Sequence, residues 1–176
     1  MNDFYKLGPC STEQLPEILS IFNEAIMNST ALYEYVPRNM EFMHAWYESK
    51  LKKNYPITGA FDRDGKLLGF GTYGVFRERP AYKYTVEHSV YVHLDARGKG
   101  LGKILLHEII KLATEQDYHV LVGGIDASNN ISIRLHEQLG FEFCGRVKQA
   151  AYKFGRWLDL DFYQLILKTP EKPVDG

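Results

Sequence analysis

Apolar residues at 15, 18, 19, 22 and 26 recur every three or four positions, the spacing of one helix face. Ser11 and Gln14 just ahead form a capping-box pattern. Together they predict an amphipathic helix over residues 12–27. A second helix is predicted over 39–54, capped by Asn39. The periodicity then changes. "ITGAF" at 57–61 reads as a short strand, Asp62 to Gly65 as a turn, and residues 66–76 as the partner strand of a hairpin. Glycines at 69, 71 and 74 in that partner suggest close backbone approach or bulging.

"FRERPAY" is a loop, and residues 83–94 form a long strand rich in β-branched and aromatic side chains. A glycine-rich turn, "RGKGLG", opens a helix that runs to residue 116, with apolar Ile104, Leu105, Ile109 and Leu112. Residues 119–126 are an apolar strand. Asn129 or Asn130 caps a helix that ends at Gly140, as a C-terminal glycine would. Residues 141–167 close the chain as strands, and "KTPEKPVDG" is a polar tail. The hairpin implies antiparallel pairing, and the strand–helix–strand unit implies one parallel pair. The expectation is a single domain over residues 1–176. Its class is α/β, with a mixed, mostly antiparallel central sheet flanked by helices on both faces.

Composition narrows the function. The formal net charge is −1 over 176 residues, which argues against a general nucleic-acid binder. No apolar run reaches the roughly 20 residues of a membrane span, and "MNDFYKLGPC" lacks a leader pattern. A cytoplasmic protein without nucleic-acid or membrane partners is expected. Cys10 and Cys144 are the two cysteines. They stand far apart, which excludes a cysteine-only zinc site and disfavours a disulfide. Cys144 reads as a small residue on a half-buried strand. His44, His93, His107 and His119 have no metal-ligand spacing.

The turn from Arg97 to Gly102 invites a phosphate. A P-loop needs a Gly-Lys-Ser/Thr ending, and a dinucleotide fingerprint needs a third glycine where Lys103 stands; neither fits. What remains is R-x-x-G-x-G, filled by Arg97, Gly100 and Gly102. Main-chain N–H groups at a helix N-terminus with two nearby cations, Arg97 and Lys99, make a nest suited to a pyrophosphate. A ligand-free strand-to-helix turn would satisfy the same six residues.

The surroundings separate these readings. Residues 85–102 with the helix behind them resemble the acetyl-CoA-binding core of the GNAT superfamily of N-acyltransferases. "ASNNISIRLHEQLGF" at 127–141 resembles that superfamily's second signature. "TVEHSVYV", "RLHEQLGF", "FGRWLDLDFYQL" and the early "NEAIMNSTALYEY" are together similar to its phosphinothricin acetyltransferase branch. The resemblance covers nearly the whole chain.

It implies acetyl transfer from acetyl-CoA, as co-substrate, to the amine of a small amino-acid-like acceptor such as phosphinothricin, methionine sulfoximine or methionine sulfone. No metal is required, and the branch commonly forms homodimers. Glu87 matches the catalytic glutamate, a general base; a carboxylate among Tyr84, Val86 and Val90 should be harder to ionise. The bland alternative is a solvated strand glutamate. His136 stands where much of the superfamily has a tyrosine that protonates the CoA thiolate; its alternative is a packed helix histidine. His88 should face away from Glu87, because neighbours on a strand point to opposite sides.

By the same match, main-chain groups of Val90, Tyr91 and Val92 run beside the pantetheine arm. Gly98, Lys99, Gly100, Leu101, Gly102 and Lys103, with Arg97, hold the pyrophosphate, and Asn129 bonds to the arm. Phe76 and Arg77 are expected at the acceptor, Arg77 clamping its carboxylate and Phe76 walling the pocket. Arg79 is an alternative clamp. Ser29, Thr30, Leu32 and Tyr33 border the acceptor side. Trp46 and Trp157 read as core or interface anchors. Two other functions remain open: acetylation of a protein or peptide N-terminus, and an acyl-CoA-binding sensor without turnover.

Overall fold

The computed structural model describes residues 5–175. The stretch read for a leader begins at residues 1–4 and the polar tail ends at residue 176, and these five positions lie outside the described residues. The described residues form seven strands and four helices, and all but the first strand follow the predicted order. The strands are β1 (Lys6–Pro9), β2 (Ile57–Phe61), β3 (Leu67–Val75), β4 (Thr85–Val92), β5 (Val120–Asp126), β6 (Glu142–Lys153) and β7 (Arg156–Ile166). The helices are α1 (Leu15–Asn28), α2 (Met40–Lys52), α3 (Leu101–Glu115) and α4 (Asn130–Gln138).

The sheet order is β1-β2-β3-β4-β5-β7-β6. β1–β2, β2–β3, β5–β7 and β6–β7 pair antiparallel. β4 and β5 pair parallel through Thr85↔Val120, Val86↔Leu121 and Glu87↔Val122. This is the mixed, mostly antiparallel α/β sheet that the pattern predicted. Contacts divide the chain into two compact units, Met1–Tyr73 with Ser89–Ile109, and Gly74–His88 with Ile110–Gly176.

The first unit holds α1 and α2. Ser11 and Gln14 close the capping box, with the Ser11 N–H donating to Gln14 Oε1 at 2.8 Å. The cap starts a single 3₁₀ turn, Thr12–Gln14, before α1 proper. The apolar face of α1 buries Leu15, Ile18, Ile21 and Phe22 against Met43, Ile57, Leu67 and Phe70. Each such side chain contributes about 1.5–3 kcal/mol when fully buried. Trp46 packs edge-on to Phe22 at 5.5 Å, as a core anchor. β1 was not predicted. Its four residues carry too little alternation to be seen, and the ladder with β2 is what makes it a strand. Gly69 meets the expectation of close backbone approach: a Cβ there would lie 2.7 Å from the Tyr91 carbonyl oxygen.

The second unit is built on the β5–β7–β6 ladder. Phe154 and Gly155, both at positive φ (51° and 74°), make the two-residue turn between β6 and β7. β6 is exposed along most of its length, and Cys144 on it is exposed rather than half-buried. Trp157 is also exposed, so it is no core anchor. The polar tail is tied down. Thr169 Oγ donates to the Tyr118 carbonyl at 2.6 Å, and the Val174 N–H donates to the Tyr84 hydroxyl at 3.1 Å.

Candidate active site

In the first unit β4 leads through a short turn, Leu94–Ala96, into the glycine-rich segment. Gly98 and Gly100 have φ of 77° and 80°, and a Cβ on either would meet nothing within 4 Å. The backbone path, not crowding, therefore demands glycine there. The turn is open to an approaching group. Lys103 and Ile104 N–H donate to the Gly100 carbonyl at 3.1 and 3.3 Å. The amides from Gly98 to Gly102 take no backbone partner outside α3 among the described residues. Leu101 is buried in a cluster with Ala96 and Leu105, so its side chain anchors the helix start. These open amides, at the first turn of a fifteen-residue helix, fit a diphosphate.

The two cations of the turn are partly engaged. Arg97 Nε donates to the Val92 carbonyl at 3.2 Å, and its guanidinium pairs with Glu24 of α1. Lys99 Nζ donates to the Asp95 carbonyl at 2.9 Å. Arg97 thus braces the turn against β4 and α1. Glu24 had no sequence signal as its partner, because the two are 73 positions apart. Lys103 is exposed on α3, and Val90, Tyr91 and Val92 lie in succession on β4. Tyr91 directs its ring at Phe22 and Phe70.

In the second unit Glu87 is half-buried on β4. A Cβ built on Gly124 of β5 would lie 3.2 Å from Glu87 Oε1 and 3.4 Å from Leu160 Cδ1. The carboxylate lies over a glycine, with an apolar wall beside it. Burial raises its pKa above 4.5, and the Arg77 cation works in the opposite direction. Arg77 is exposed on the loop after β3, its Nη1 donating to the Phe76 carbonyl at 3.0 Å and its guanidinium over the Phe76 ring. Phe76 packs edge-on to Tyr82 at 5.8 Å. Phe76, Arg77 and Glu87 therefore belong to one unit, with Arg77 close enough to act on the carboxylate.

His136 is elsewhere in the same unit. A Cβ on Gly123 would meet His88 Nε2 at 2.9 Å and His136 Nε2 at 3.1 Å. Gly123 and Gly124 are consecutive on β5 and face opposite ways. His88 does face away from Glu87, as expected, and His136 is with His88. The structure brings His136 to a second histidine rather than to Glu87. The two Nε2 atoms are 3.1 Å apart and the rings are stacked at 5.0 Å. His136 Nδ1 lies 2.7 Å from the Ser132 carbonyl. Burial lowers the pKa of both imidazoles, that of His88 to about 3.

Asn129 caps α4 through its side-chain oxygen, which accepts from the Ser132 N–H at 3.1 Å. Gly123, Gly124 and His88 were not singled out as site residues. Adjacent glycines inside an apolar strand were the readable signal for the first two. No group of three or more metal-ligating side chains occurs among the described residues.

The first unit thus carries an amide nest at a helix start, and the second a half-buried carboxylate on a strand. Residues 23–141 match the acetyltransferase (GNAT) family, and the chain belongs to that family. It is 46% identical over 153 residues to the L-methionine sulfoximine/L-methionine sulfone acetyltransferase of Pseudomonas aeruginosa, covering 87% of this chain and 89% of that one. It is 36% identical to the phosphinothricin N-acetyltransferase of Alcaligenes faecalis, with 84% and 75% covered. The phosphinothricin acetyltransferase of Sinorhizobium meliloti, solved in complex with acetyl-CoA, superposes with a TM-score of 0.93 at 34% identity, covering 98% and 95%.

Proposed function

We propose that the chain is an acetyl-CoA-dependent N-acetyltransferase acting on the amino group of a small amino-acid-like acceptor: methionine sulfoximine, methionine sulfone or phosphinothricin. The similarity to enzymes of those names supports the acceptor class. The observation that carries the reading is a half-buried carboxylate, Glu87, with the Arg77 guanidinium of the same unit near enough to act on it. An amino acid presents a carboxylate beside an ammonium, and these two groups match it charge for charge.

The ammonium has no lone pair, so transfer begins when Glu87 takes a proton from it, directly or through a water. The freed amine attacks the thioester carbonyl. Negative charge gathers on the carbonyl oxygen, where a main-chain N–H of the Val90–Val92 segment is the donor. Collapse breaks the carbon–sulfur bond, and the departing thiolate takes the second proton that the attacking nitrogen sheds, directly or through a water. The amides from Gly98 to Gly102, with the Lys103 side chain and braced by Arg97, hold the pyrophosphate. Asn129 bonds to the pantetheine arm through its NH2 group, and Phe76 walls the acceptor.

The chain works as one domain, since β3, β4 and α3 each run through both compact units. It is cytoplasmic; among the described residues no helix is long and apolar enough to cross a membrane. It is a homodimer, a state favoured by the exposed Phe143, Val147, Trp157 and Ile166 of β6 and β7. Sedimentation of the purified chain checks that last point.

A screen of acceptors that detects released thiol tests the function. Turnover of methionine sulfone or phosphinothricin, with peptide amines inert, is the expected result. Peptide turnover alone would move the reading to N-terminal acetylation. Acetyl-CoA binding without any turnover would make the chain a sensor.

A further inference from the structure

Asp126 ends β5 with a side chain that is only 2% exposed, and the transfer chemistry gives it no part. It lies on the Glu87 side of the sheet. It pairs with Leu160 of β7, the residue that walls the glutamate over Gly124, two positions earlier on β5. Asp126 Oδ1 accepts from both the N–H and the hydroxyl of Ser128, each at 2.7 Å. Arg156, at the start of β7, closes the group. Its Nη2 donates to Ser128 Oγ at 3.2 Å and lies 3.8 Å from Asp126 Oδ2.

These bonds leave the segment between β5 and α4 little freedom. The Ala127 N–H donates to the Asp159 carbonyl at 2.9 Å, and the Asn129 N–H to the Asp126 carbonyl at 2.8 Å. With Ser128 on the carboxylate, three successive amides are tied down. Asn129 then enters α4 with its side-chain oxygen on the Ser132 N–H. An N–H donor is met only by an acceptor, so Asn129 Oδ1 faces Ser132 and the NH2 group is turned away from the helix start. The direction of that NH2 group follows from the backbone at 127–129, and one buried carboxylate organises that backbone.

We propose that Asp126 is a positioning residue for acetyl-CoA: with Arg156 as its counter-ion it fixes residues 127–129 so that the Asn129 NH2 group meets the pantetheine arm. For its part in binding, this rests on the reading of Asn129 as a cofactor ligand. Asp126 itself touches no substrate. Removing its carboxylate strips both Ser128 donors of their charged acceptor and Arg156 of its counter-ion. The segment then populates other arrangements, and a ligand that needs one of them binds more weakly in proportion. The loss falls on acetyl-CoA, not on an acceptor held by Arg77 and Glu87.

Calorimetry of acetyl-CoA binding to the full chain tests this through a double-mutant cycle. Asp126→Ala should weaken binding about five- to tenfold, with KM for methionine sulfone unmoved. Asp126→Asn keeps an oxygen toward Ser128 without the charge. Its affinity should fall between those of Asp126→Ala and the wild type, and it carries the test if the alanine variant does not fold. Asn129→Ser keeps a capping oxygen for α4 and removes the NH2 group. It should weaken binding by a similar factor, and either Asp126 substitution added to it should weaken binding no further. An Asp126 substitution that costs the same factor with and without Asn129→Ser, or nothing in the wild-type background, would overturn the positioning role and leave Asn129 a ligand. Full acetyl-CoA affinity in Asn129→Ser would instead remove Asn129 from the cofactor site, and the proposal with it.

Discussion

Glu87 and His88 are neighbours on β4, yet they occupy opposite faces of the sheet, over Gly124 and Gly123 respectively. Burial acts on both and favours the neutral form of each. The consequence differs because the charges differ. A carboxylate that is hard to ionise is a stronger base, suited to lifting a proton from an ammonium. An imidazole that is hard to protonate stays neutral and needs a partner to take charge. Their neighbours complete the contrast: Glu87 feels the charge of the exposed Arg77 side chain, and His88 touches the buried ring of His136. One face carries a carboxylate near an exposed cation, and the other a buried pair of rings in contact.

The largest test of that contrast is Glu87→Gln. It should lower turnover by about 10²–10⁴, the usual worth of a general base, and leave acetyl-CoA binding by calorimetry unchanged. Gly123→Ala should act on stability instead. Its methyl would enter the Nε2–Nε2 contact at 2.9 and 3.1 Å, costing about 1–3 kcal/mol by overpacking, as read by urea unfolding. Gly124→Ala, 3.2 Å from a side-chain tip that can shift, should cost less stability and lower turnover. Arg77→Ala should raise KM for the acceptor about tenfold, the value of a charge-assisted hydrogen bond.

The smallest effects lie in stability against pH. The Glu87 pKa is raised above 4.5, so its contribution is fully present below that pH and is lost as pH rises through the folded value. Glu87→Gln should therefore gain stability over the wild type at neutral pH. The His88 pKa is lowered from 6.5 to about 3. Its contribution is full above pH 6.5 and is lost as pH falls toward 3. His88→Gln should lose less stability than the wild type across that window.

Much of the fold was legible because it depends on local pattern. The α1 stripe, the Ser11 capping box, the Asn39 and Asn129 caps and the parallel β4–β5 pair all follow from residues near one another in sequence. β1 was not legible, because only its ladder with β2 makes it a strand. The β6–β7 turn at Phe154–Gly155 lacks the usual Asn-Gly signal. In the site, Glu87, Arg77 and the open glycine turn could be singled out, and strand alternation placed His88 away from Glu87. Alternation says nothing of what waits on the far face. The His88–His136 contact joins residues 48 positions apart, and the Arg97–Glu24 pair is longer still, so neither leaves a pattern in the sequence. Trp157 and Cys144 are exposed because β6 and the end of β7 near it are uncovered, which depends on sheet order.

The pH dependence of kcat, with acetyl-CoA and methionine sulfone saturating, bears most directly on Glu87. The wild type should show a single-proton rise with its midpoint above 4.5, and Glu87→Gln should lack that rise. The same rise, at the same pH and height, in both proteins would contradict a base at Glu87.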